Sequence, residues 1–131
     1  MTKEEIIRNY GSLSLAYIGD AAYELAAREY LLKSGMTDNG KMHVKTKTFV
    51  SAHAQNLFLQ VIAPLLTDDE LAVVRRGRNV KSRSHPKNAD ISEYHGATGF
   101  EALWGYLYLS GDRERMANLF EIIVNTNLET E

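Results

Sequence analysis

Two apolar stretches, each holding an isolated carboxylate beside a glycine, constrain this chain most. Residues 13–25 read Leu-Ser-Leu-Ala-Tyr-Ile-Gly-Asp-Ala-Ala-Tyr-Glu-Leu, and residues 100–109 read Phe-Glu-Ala-Leu-Trp-Gly-Tyr-Leu-Tyr-Leu. Both have the apolar spacing of helices that pack inward. On a helical wheel Asp20 falls with Leu13, Ala16, Glu24, Ala27 and Leu31, while Arg28 and Glu29 point elsewhere. Asp20 is therefore expected on the inward stripe. A buried carboxylate is costly unless it is paired, hydrogen-bonded or bound to a cation. Gly19 and Gly105 strip side chains from the backbone beside the two acids. Each costs its helix about 1 kcal/mol relative to alanine, so close helix packing is the expected reason for them.

The rest of the chain fits the same architecture. There are only two prolines, Pro64 and Pro86, and little β-branched alternation. The expectation is an all-α fold in a single domain over residues 1–131. Helices are expected over residues 3–9, from Ser12 or Ser14 to about Lys33, and from about Lys41 to Ile62. Gly35 reads as the stop of the second. Thr67 and Glu70 form a capping-box pattern opening a helix that ends near Gly77. Residues 78–97 read as irregular, with a short helical turn near Asp90–Tyr94. Two last helices are expected at about 98–109 and from Asp112 to about Val124, separated by Ser110 and Gly111.

Composition excludes several classes of function. The chain has no cysteine, hence no disulfide, thiolate metal site or cysteine nucleophile, which suits a reducing, cytoplasmic location. No apolar run approaches the roughly 20 residues of a membrane span, and residues 1–5 lack a secretory apolar core. The net charge of −2 hides an asymmetry. Residues 71–89 hold Arg75, Arg76, Arg78, Lys81, Arg83 and Lys87 and no acid, whereas the acids dominate from Asp90 onward. Such a segment, with Asn79, Ser82 and Asn88 interspersed, has the makeup of a phosphate-contacting loop, and a solvated basic loop is the plain alternative. It lacks regular aromatic interleaving, which favours backbone contact with a duplex over base stacking.

Two lone acids in one small domain point to a shared divalent cation. If they converge without one, they repel and one must bind a proton. Mg²⁺ commonly takes one or two protein carboxylates and fills its remaining positions with water and phosphate oxygens. The alternative is that each acid meets an arginine or a helix N-terminus in the core. His43 and His53 lack the spacing of a helical zinc pair, and His85 and His95 are isolated. Tyr17, Tyr23, Tyr30, Tyr106 and Tyr108 read as core or interface residues.

Leu15-Ala16-Tyr17-Ile18-Gly19-Asp20-Ala21 resembles the signature helix of ribonuclease III endonuclease domains, usually written Leu-Glu-Phe-Leu-Gly-Asp-Ala/Ser, and residues 100–109 resemble the second acidic helix of that family. With the Arg-Gly-Arg-Asn segment at 76–79 and its Lys, Ser, Pro and Asn sequel, the pattern is similar to the mini-ribonuclease III group, which lacks a separate double-stranded-RNA-binding domain. The likeness spans roughly residues 10–125. Two further acidic positions of the family are Ala16 and Thr98 here, so Asp20 and Glu101 alone carry over as catalytic and metal-holding residues. Glu24, Asp90 and Glu93 are the candidates to supplement them.

The resemblance implies a homodimer, with Tyr17 at the position of an aromatic that plugs into the partner subunit. It implies Mg²⁺-dependent cleavage of double-stranded RNA, giving 5′ phosphates and short 3′ overhangs. The implied substrate is precursor 23S ribosomal RNA, with a ribosomal protein that shapes the RNA as a further partner. The rival reading is a non-catalytic RNA-binding or scaffold module that keeps the fold but not the reaction.

Overall fold

A computed structural model describes residues 1–80 and 90–129, and every described element is helical. In chain order they are α1 (Lys3–Asn9), α2 (Ser12–Lys33), α3 (Asn39–Val50), α4 (Ala52–Ile62), a short 3₁₀ turn (Ala63–Leu65), α5 (Asp68–Asn79), α6 (Ile91–Leu109) and α7 (Arg113–Glu129). The expected all-α fold is what forms.

Helix α6 is the axis of the domain. It packs most extensively on α2, then on α5 and α4. Ten of its residues are buried, among them Phe100, Leu103, Trp104, Tyr106 and Leu107. Tyr23 of α2 reaches across the core, its ring edge against Phe100 and its hydroxyl donating to the Phe49 carbonyl at 2.9 Å. Small residues set how closely α6 is approached. At the α5 crossing, a Cβ on Gly77 would lie 2.8 Å from the Gly99 Cα, so only hydrogen fits between those backbones.

Local chemistry explains where helices start and stop. The Thr67–Glu70 capping box forms, with Glu70 N–H donating to Thr67 Oγ1 and Thr67 N–H to Glu70 Oε1. Glu70 is buried and also takes a bidentate contact from Arg115 of α7 at 2.8 and 2.9 Å. Arg115 donates in addition to the Leu65 carbonyl, so one guanidinium joins the 3₁₀ turn, α5 and α7. Gly35 closes α2 at φ +96°, a conformation natural to glycine.

Four boundaries differ from expectation. The single helix expected over 41–62 is two helices that meet at Ser51, which is extended and whose hydroxyl accepts from Ala54 N–H. The residue before α2 is Gly11, with no side-chain cap, rather than a capping Ser12 or Ser14. Helix α6 begins at Ile91 rather than near Thr98, because the Asp90 carboxylate caps it by accepting from Glu93 N–H at 3.2 Å. Helix α7 continues to Glu129 instead of fraying after Val124, with Ile123 fully buried.

Candidate active site

The α2–α6 crossing brings the two singled-out acids together. A Cβ on Gly19 would fall on the Glu101 carbonyl oxygen and lie 2.6 Å from Gly105 N, and one on Gly105 would fall on the Leu15 carbonyl oxygen. The backbones can meet only because both positions are glycine. Asp20 follows Gly19 directly, so this contact delivers its carboxylate to the side chain of Glu101.

The electrostatics record the meeting. Burial, then a shared hydrogen bond with Asp20 and the Asp20 charge, pushes the Glu101 carboxyl up to about 8, and hydrogen bonding from the Gln55 amide opposes the rise. Two carboxylates that repel in this way hold a proton at neutral pH or attract a cation. Their donor set is all oxygen, which fits a hard divalent ion such as Mg²⁺.

Asp20 itself is exposed rather than inward-facing. The buried stripe of α2 is Leu15, Ala16, Gly19, Ala22, Tyr23, Ala27 and Leu31. Because the small residues face α6, Asp20 is rotated to the edge of the crossing. Leu13, expected inside with it, is 55% exposed for the same reason. Glu101 lies deeper, half-buried in a cleft of about 160 Å³ between α4 and α6, which Gln55, Tyr94, Ala97 and Thr98 also line.

The supplementary acids are engaged elsewhere. Glu24 forms a 2.7 Å ion pair with Arg28. Glu93 meets His53, and Asp90 caps α6. Thr98, at one of the family's acidic positions, donates its hydroxyl to its own helix at Tyr94 O. Among the described residues no group of three or more His, Cys, Asp or Glu side chains could hold a metal, so the site rests on the pair.

The expected basic loop divides. Arg75, Arg76, Arg78 and Asn79 are exposed on the last turns of α5, which runs to Asn79, and so belong to a helix rather than a loop. Arg76 lines a separate cavity of about 330 Å³ with Arg8, Tyr10 and Ser12, at the corner between α1 and α2. The Arg78 carbonyl accepts from His95 Nδ1 at 2.7 Å, which fixes the proton on that nitrogen and ties the end of α5 to α6. Lys81, Ser82, Arg83, Lys87 and Asn88 lie outside the described residues.

Gln55 is the site residue that sequence reasoning missed. It sits on the buried face of α4 with Phe58, Leu59 and Ile62. The available signal was an uncharged polar residue on an apolar helical stripe. Tyr17 is 84% exposed on the outer side of α2, where Leu13, Leu25 and Leu32 are exposed as well, with the Glu24–Arg28 ion pair among them.

Comparison with known proteins identifies the family. The Ribonuclease III domain family matches residues 13–112. A mini-ribonuclease 3 of Brevibacillus brevis is 46% identical over 124 residues, covering 92% of each chain. One from Symbiobacterium thermophilum is 48% identical over 109 residues, covering 83% of this chain and 84% of its own. The crystal structure of a Fusobacterium nucleatum protein superposes with a TM-score of 0.83 at 30% identity, over 91% of this chain and 97% of that one. With its acidic pair set on the two signature helices, the chain belongs to the ribonuclease III domain family and, within it, to the mini-ribonuclease 3 group.

Proposed function

We propose that this chain is a Mg²⁺-dependent endoribonuclease that cuts both strands of double-stranded RNA as a homodimer, in the cytoplasm, during maturation of precursor 23S ribosomal RNA. The observation that carries the reading is the glycine contact at the α2–α6 crossing, which brings the Asp20 and Glu101 carboxylates together as an all-oxygen pair suited to a divalent cation. Asp20 and Glu101 hold the ion. When bound, Mg²⁺ supplies an activated water for phosphodiester hydrolysis and neutralises charge on the leaving oxygen. Asp20 lies at the exposed edge and Glu101 deeper in the cleft, and the two carboxylates would hold the ion between them.

The arginines at the end of α5, with Asn79, contact the RNA backbone, and the basic residues Lys81, Arg83 and Lys87 with Ser82 and Asn88 extend that contact. The exposed apolar residues of α2, Tyr17 foremost among them, support the dimer. A ribosomal protein that shapes the RNA fits the same role in maturation.

The test is cleavage of a duplex RNA by the purified protein with Mg²⁺ and with EDTA. Cleavage is expected only with Mg²⁺, to products bearing 5′ phosphates. Asp20→Asn should abolish cutting by a factor of about 10² or more while leaving duplex binding within about twofold. A parent protein that binds duplex RNA with Mg²⁺ present yet leaves it intact would instead establish the scaffold reading.

A further inference from the structure

Gln55 is about 1% exposed on a helical face otherwise made of apolar side chains. Burying an amide there costs about 1–3 kcal/mol unless its polar atoms are satisfied. They are satisfied on one end only. Nε2 donates to the Val50 carbonyl at 3.2 Å, whereas Oε1 is buried with no hydrogen-bond partner among the described residues. A leucine or methionine would fill the space without that penalty, so packing does not explain the residue.

The local backbone fixes which way the amide points. Val50 is the last residue of α3, so its carbonyl is beyond the reach of that helix's own N–H donors. A carbonyl can only accept, so it selects the NH₂ end of Gln55, and an inverted amide would set two acceptors against each other. The extended Ser51 between α3 and α4 fixes the spacing of Val50 and Gln55. The second N–H is left for Glu101, which lines the same cleft. An amide does this without adding a third negative charge beside the two acids.

We infer that Gln55 is a positioning residue that holds the Glu101 carboxylate toward Asp20, so that a divalent cation meets both acids already in place. The inference rests on the metal-dependent nuclease reading above and assigns that site a support on α4.

Gln55→Met keeps the bulk and removes the donor. Gln55→Asn keeps the amide but is one methylene too short to reach both Val50 and Glu101. Each is compared with the parent in steady-state cleavage of one duplex RNA, in calorimetric titration of the free protein with Mg²⁺, and in thermal melting. Both variants should lose about 10–100-fold in kcat, keep KM for the duplex within about twofold, and bind Mg²⁺ about tenfold or more weakly. If Gln55→Met does not fold, Gln55→Asn carries the same expectation.

A folded variant with parental kcat and parental Mg²⁺ affinity overturns the inference. So does a parallel fall of kcat, RNA affinity and melting temperature with Mg²⁺ affinity unchanged, which marks Gln55 as mere support for α4. The titration needs no turnover. A parent that binds Mg²⁺ without cutting RNA, and loses the ion on Gln55→Met, would sink the nuclease reading and leave the positioning role standing.

Discussion

A carboxylate beside another carboxylate has to keep a proton or find a cation. Glu101 is in that position, pushed up to about 8 by burial first and by Asp20 second. At pH 7 the metal-free protein therefore carries a proton that a divalent cation bound at the pair would have to displace. Binding at pH 7 should release about one proton, and the release should vanish as pH rises past 8, where the pair is already ionised. Calorimetry in two buffers of different ionisation enthalpy measures that count, and a proton count near zero at pH 7 would refute the coupling. The sign for stability follows from the same shift. The folded state binds the proton more tightly than the unfolded one, whose value is 4.5, so metal-free stability falls as pH rises from about 4.5 to about 8. Glu101→Gln should flatten that slope.

At the scale of elements, the site exists because α2 and α6 touch backbone to backbone. Gly19→Ala puts a methyl onto the Glu101 carbonyl oxygen, and no flexible side chain is there to yield. The helices must separate, at a cost of about 2–3 kcal/mol or more. Because Asp20 and Glu101 sit on either side of that contact, cleavage and Mg²⁺ affinity should fall beyond what the loss of stability explains. Melting curves and Mg²⁺ titration of Gly19→Ala check this, and a variant that melts and binds like the parent would remove the glycine contact as the cause of the pairing. This much was legible in the sequence, since a glycine beside a lone acid on each of two apolar helices has few other uses. The break at Ser51 was not, because neither proline nor glycine marks it and the apolar period runs through. The early start of α6 could have been read from Asp90 and Glu93, which have capping-box spacing. The basic and polar residues over 75–88 that precede it favour a loop reading instead.

For the whole molecule, periodicity failed where α2 is apolar on nearly every side. Periodicity alone does not say which face meets α6: it puts Leu13 inward, whereas Leu13 lies outside. Packing resolves the matter. The glycine and alanine face goes to α6, and Leu13, Tyr17, Leu25 and Leu32 are left exposed on one side of a single helix. Exposed apolar residues on one side of a helix suit the proposed two-fold interface, in which the same residues on both subunits meet. Tyrosine is a frequent anchor of interfaces, worth about 2 kcal/mol or more when truncated at a central position. In the proposed dimer Tyr17→Asp goes further, since it would bury two like charges in the subunit contact. The dimer dissociation constant should rise by more than about 30-fold, which is what 2 kcal/mol means at 25 °C. Helical content should stay at the parent level, because Tyr17 makes no core contact in its own subunit. Light scattering across a dilution series reads the dissociation directly. A Tyr17→Asp protein that remains dimeric at the parent's concentrations would place the subunit contact on another surface.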